Sequence, residues 1–134
     1  MLRISKKADY GLLLLAALSQ EGVGTVVSLK AIAETQKMPY KYLSQIAPQL
    51  VETGILGSKE GAGGGYFLTR DPSAISVGDV LEALEGPVAP VACPREECTC
   101  EPYCEKDLIE KMAVPLVETV KQFTLADLIS SSQE

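Results

Sequence analysis

The chain has 134 residues, 46% of them hydrophobic, and a formal net charge of −6 at pH 7. That length suits one compact domain with an appendage, large enough to bury a core without disulfides, and no apolar run reaches the roughly eighteen residues of a membrane span. There is no histidine, which removes the imidazole as general base or metal ligand, and the four cysteines all fall within residues 93–104.

Tyr10, Leu13, Leu14, Ala17 and Leu18 share the i, i+3, i+4, i+7, i+8 spacing of one helix face, and Ser5 is placed to cap that helix. Lys6 and Lys7 before GLLLLAAL mimic the start of a signal peptide. No small-residue cleavage site follows and the helical pattern continues through the run, so the chain reads as cytosolic. After the Gly22–Gly24 turn, Ser28 can cap a second helix that ends near Gln36 and turns Leu29, Ile32 and Ala33 inward. A third helix opens at Pro39 and buries Leu43, Ile46 and Leu50 before Gly54. Pro48 predicts a kink or an early break within it.

Ile55 and Leu56 lead through GSKEGAGGG into Tyr66, Phe67 and Leu68, the pattern of a hairpin around a glycine-dense turn. Three helices followed by a hairpin is the order of a winged helix-turn-helix, whose third helix enters the DNA major groove. Asp71-Pro72 closes the wing, and Ser76 with Asp79 marks a fourth helix burying Val77, Val80, Leu81 and Leu84, stopped by Gly86-Pro87. The next stretch holds four prolines and all four cysteines and reads as an irregular loop. Ile109, Met112, Leu116, Val120 and Phe123 then step by three, four, four and three, a seam for a partner helix that Pro115 should bend. Thr124 with Asp127 opens a final turn from Leu125 to Ile129. The expected fold is therefore mainly α with a small β-hairpin: a winged helix-turn-helix over residues 1–86, a cysteine-rich loop over 87–106, and a long C-terminal dimerisation helix and turn over 107–134.

Charge is divided along the same lines. Residues 1–70 carry eight basic and five acidic side chains, a net of +3, and the total of −6 leaves −9 for the remainder. A mildly basic binding module joined to an acidic segment fits a nucleic-acid binder, which the overall charge alone would argue against.

Cys93, Cys98, Cys100 and Cys104 are too concentrated for a stability role in a chain of this size, and thiolates are the soft ligands that zinc and iron–sulfur clusters prefer. With no imidazole available, any further ligand is a carboxylate, a backbone group, water or a small molecule. A structural zinc site and a thiol redox switch are the alternatives to a cluster. An enzyme is not expected, because the chain has no CxxC opening a helix, no histidine base and no cofactor loop.

Taken in order, ISKKADYGLLLLAAL, SLKAIAE, YKYLSQI, GAGGGYFLTR, ISVGDVLEALEGP, the cysteine loop and TLADLI resemble the Rrf-two (Rrf2) family of bacterial winged-helix regulators over nearly the whole chain. The opening MLRISKKADYG is most similar to the branch that controls iron–sulfur cluster assembly operons. The resemblance implies a homodimer on a palindromic double-stranded operator, holding an iron–sulfur cluster, 2Fe-2S in preference to 4Fe-4S, whose presence or loss changes DNA affinity and so represses cluster-assembly genes. It implies three cysteines plus one other ligand. Cys93, Cys98 and Cys104 match the family spacing best, with Cys100 the extra thiol. The first interval is one residue short, which leaves Cys98 and Cys100 both open as the middle ligand and a four-thiol set open as well. Asp9 stands where the nitric-oxide-sensing branch has an aspartate that reaches the cluster across the dimer; a plain helix-start carboxylate is the competing reading, and Asp107 is a second candidate.

On the DNA side, Tyr40, Lys41, Ser44 and Gln45 occupy the exposed start of the third helix, Lys41 suited to phosphate and Ser44 and Gln45 to base edges. Lys6 and Lys7 suit phosphates at the first helix N-terminus. Relatives often carry an arginine before the glycine turn of the wing. Here Glu60 stands there, so Lys59 is the expected wing contact, with Gly64 of the turn beside it and no minor-groove insertion.

Overall fold

The computed structural model describes residues 5–86 and 106–132. The cysteine segment, with all four cysteines, lies outside the described residues. Helix α1 (Lys6–Glu21) is capped by Ser5, whose hydroxyl accepts the Ala8 amide at 3.2 Å. Its buried face is Ala8, Gly11, Leu12, Leu14, Leu15 and Leu18, rotated from the expected stripe. Leu13 is 47% exposed, and Tyr10 and Ala17 are half-buried. The run Leu12–Leu15 is apolar on nearly every azimuth, so periodicity could not choose a face. Close packing chose it: a Cβ on Gly11 would collide with the Leu84 side chain.

Helix α2 (Leu29–Gln36) is capped by Ser28, which accepts the Ala31 amide at 3.2 Å, and it ends at Lys37 in the left-handed region (φ 55°). Lys37, Met38 and Pro39 make the short turn into helix α3 (Tyr40–Glu52). Contrary to the expected early break, α3 runs through Pro48 to Glu52, because that ring sits on the solvent side while Ile46, Ala47 and Leu50 remain buried around it. Strands β1 (Leu56–Lys59) and β2 (Gly65–Leu68) form the antiparallel wing, pairing Leu56 with Leu68 and Lys59 with Gly65. Val27 and Tyr66 exchange two backbone hydrogen bonds, both 2.9 Å, which tie the wing to the segment entering α2. Gly65 permits this approach, since any Cβ there would strike the Val27 carbonyl.

Asp71 caps a single 3-10 turn (Pro72–Ala74). Hydrogen bonds from the Ser73 hydroxyl and amide hold its carboxyl below the usual aspartate range. Because the folded value is lowered, whatever stability the turn contributes is present at neutral pH and is lost as pH falls through that value.

Helix α4 (Val77–Glu85) buries Gly78, Val80 and Leu84 and packs on α1, α3 and α5 (Lys106–Gln122). Ser76 does not cap α4 with its side chain; its hydroxyl instead donates to the Lys121 carbonyl at 2.9 Å. Lys121 Nζ lies 3.1 Å from the Glu82 carboxylate, and the Ser5 hydroxyl donates to Glu85, fastening α1 to the other end of α4. Thr124 and Asp127 form the expected reciprocal capping box, opening a two-turn helix α6 (Leu125–Ser132) rather than a lone turn. Leu125 is wholly buried in the same core as Leu14, Leu15 and Val80.

Since Leu125 belongs to that core, Leu125→Ala should cost about 2–5 kcal/mol in denaturant unfolding, whereas Ser130→Ala on the exposed side of α6 should stay within about 0.5 kcal/mol. Equal midpoints would mean that α6 does not stabilise the winged-helix core.

Candidate nucleic-acid interface

Local rules orient the third helix. The left-handed Lys37 stops α2 and Pro39 starts α3 within one three-residue turn, while the buried Leu43, Ile46, Ala47 and Leu50 fix which side of α3 faces the core. Lys41 and Gln45 are exposed, Tyr40 is 51% exposed and Ser44 half-buried. Tyr42 is 42% exposed, its ring 5.4 Å from that of Tyr10 on α1, so it braces α1 against α3.

Between the starts of α2 and α3 and the wing runs an open groove of about 320 Å³, lined by Ser28, Leu29, Lys30, Tyr40, Ser44, Gly64, Gly65 and Tyr66. Three residues expected from sequence, Tyr40, Ser44 and Gly64, come together there. Lys41 and Gln45, each next in sequence to a lining residue, lie on the adjacent face of the same turns of α3, and Lys59 is exposed at the end of β1 beside Gly65. Lys6, exposed, and Lys7, half-buried, begin α1 and do not line the groove. Sequence reading missed Ser28, Lys30 and Tyr66. Lys30 had a visible signal as a cation in the first turn of α2, but nothing local announces the Val27–Tyr66 pairing that swings Tyr66 to this side.

Hydrogen bonding distinguishes the two polar side chains of α3. The Ser44 hydroxyl donates to the Lys41 carbonyl at 2.8 Å, whereas the Gln45 amide has no partner among the described residues. Gln45 therefore keeps both its donors and its acceptor available, and Ser44 keeps only acceptor lone pairs. The wing tip, Glu60 through Gly64, carries one carboxylate and three glycines, with Lys59 the adjoining cation.

The metal candidates are divided. Asp9 is exposed in the first turn of α1 and makes no ion pair among the described residues. The four cysteines and the side chain of Asp107 fall outside them. Among the described residues no group of three or more cysteine, aspartate or glutamate side chains is gathered for a metal. A second depression, about 500 Å³, lies at Gln122, Phe123, Asp127, Ser130 and Ser131. Its carboxylate, Asp127, is occupied as the α6 cap.

A mainly helical winged fold with an exposed polar third helix is the architecture of a DNA-binding transcription regulator. Residues 4–131 match the Rrf2 family, described as iron-dependent transcriptional regulators, and the chain belongs to that family, whose members regulate transcription and are not enzymes. It is 36% identical over 129 residues to the HTH-type transcriptional regulator CymR of Bacillus subtilis (strain 168), covering 96% of this chain and 91% of CymR. The solved structure of that CymR, the global cysteine regulator, superposes with a TM-score of 0.77 at 37% identity over 98% of both chains. T. potens IscR gives a TM-score of 0.70 at 34% identity, over 98% of this chain and 88% of that one. NsrR of Shouchella clausii is 24% identical over 137 residues, covering 99% of this chain and 92% of NsrR.

Lys41→Ala should weaken binding to every duplex by a similar factor and reduce the slope of log affinity against log salt by about 1. An unaltered slope in a salt titration would remove Lys41 from the phosphate contacts.

Proposed function

We propose that this regulator senses an iron–sulfur cluster and represses cluster-assembly genes, binding a palindromic operator as a cytoplasmic homodimer. The observation that carries the reading is four thiols within residues 93–104 of a chain without histidine. Cys93, Cys98 and Cys104 are the proposed ligands, with Cys100 in reserve. Asp9, exposed and unpaired among the described residues, is the proposed fourth ligand. Four soft thiolates and a free carboxylate fit such a group chemically, and a hard, weakly held oxygen ligand suits a site that must lose or exchange its cargo. When bound, the cluster would supply the redox- and iron-responsive chemistry.

The roles proposed for the protein's own residues draw on their positions in the fold. Lys6, Lys7, Lys41 and Lys59 would neutralise phosphates, with Gly64 at the wing contact, its missing side chain keeping the turn tight, while Tyr40, Ser44 and Gln45 would meet the bases. Met112 at 62% and Leu116 at 51% exposure, with Val120, are spaced for one side of α5, and Phe123 at 54% directly follows the helix; together they leave an apolar seam that a second copy would bury. Residues 1–86 are thus assigned to DNA, 87–106 to the metal and 107–134 to dimerisation. Two-fold symmetry would then require a palindromic operator.

A second reading comes from the likeness to CymR, the global cysteine regulator: control of sulfur metabolism, with the four cysteines serving as a structural zinc site or a thiol switch.

Cys93→Ala and Cys104→Ala should each abolish bound iron and remove the difference in operator affinity between iron-loaded and chelator-treated protein, with the sedimentation coefficient of the dimer unchanged. Full iron content in both variants would sink the ligand assignment. Asp9→Ala should leave iron binding measurable but hasten its loss to a chelator.

A further inference from the structure

Lys41, Gln45, Pro48 and Glu52 are spaced by four, three and four residues along α3, and all are exposed. That spacing returns to the same azimuth, so the four form one stripe about 17 Å long on the side turned away from the core. Its chemistry changes sign along its length. At the start stand Lys37 and Lys41, with Lys30 in the adjoining groove. Past Gln45, Pro48 has no amide proton and Glu52 only accepts hydrogen bonds, so neither can donate to a phosphate oxygen.

Glu52 is also badly placed for helix stability. It ends α3, where the helix dipole disfavours a carboxylate, and it makes no ion pair among the described residues. Its charge therefore acts on whatever approaches the stripe.

We propose that Glu52 is an electrostatic stop that holds the last turns of α3 away from the phosphates, so that the helix enters the duplex by its first two turns. This rests on α3 being the recognition helix. The first two turns, Tyr40 to Gln45, rise about 7.5 Å, the span of roughly two base-pair steps. Each α3 therefore reads a short element, with Gln45 its last base-reading residue. Glu52 weakens binding to all DNA alike and keeps non-specific affinity low.

The test uses the full-length protein, a duplex selected by the wild-type chain from a random library, and a scrambled duplex of the same composition. Wild type, Glu52→Gln and Glu52→Lys are titrated by fluorescence anisotropy at several salt concentrations. Glu52→Gln should tighten both duplexes by roughly three- to ten-fold with unchanged base preferences, and Glu52→Lys should tighten them further and steepen the salt slope by about 1. The melting temperature of Glu52→Gln should not fall. Unchanged or weaker binding by Glu52→Gln would overturn the proposal. So would selective loss of discrimination at one C·G pair, because the carboxylate would then be reading a cytosine amino group. If Lys41→Ala and both Glu52 variants leave DNA binding and its salt slope unaltered, α3 is not the recognition helix, a different failure from that of Glu52 alone.

Discussion

Leu84 lies so closely against Gly11 that a Cβ there would displace the Leu84 side chain, and this contact seats α4 against α1 in the helical core. The arrangement depends on two missing side chains. Gly11 admits Leu84 from one side, and Gly78 admits the backbone of α5 at Lys121 from the other. Cores packed at crystal density transmit such contacts rather than absorbing them, so α4 becomes the common neighbour of α1, α3 and α5. The chain leaves α4 at Gly86 to enter the cysteine segment and returns as α5, so the elements that would meet DNA and a second subunit are fixed to the same helix.

The legible parts of the fold were those decided locally. Ser5, Ser28 and the Thr124–Asp127 pair cap helices because a short polar side chain at a helix start satisfies amides that nothing else can reach. The hairpin followed from two apolar runs around glycines. What escaped was decided by distant partners. Ser76 has the same local signature as Thr124, yet its hydroxyl goes to Lys121, 45 residues away. The Leu12–Leu15 run carries no azimuthal information, and Leu13 stays exposed because the fit around Gly11 chose another face. Pro48 is tolerated because its ring faces solvent.

The same division holds at the interface. Tyr40, Lys41, Ser44 and Gln45 could be named from the start of one helix, because the buried side of that helix was already clear. Lys30 and Tyr66 join them only through the Val27–Tyr66 pairing, a contact between segments 39 residues apart. The overall charge of −6 hides a basic amino-terminal half, and net charge is a poor guide when a binding module and an acidic segment share one chain. Within that half, the exposed carboxylates of Glu52 and Glu60 stand among the lysines, so its charge is mixed rather than uniformly basic.

The proposed function turns on what the cysteine segment holds. The most direct measurement is visible absorption with iron, sulfide and zinc analysis on one anaerobically purified sample. Brown protein with equal iron and sulfide is the predicted result. Colourless protein with stoichiometric zinc, or with no metal after reconstitution under reducing conditions, would contradict cluster sensing and leave the thiols as a structural zinc site or an oxidative switch.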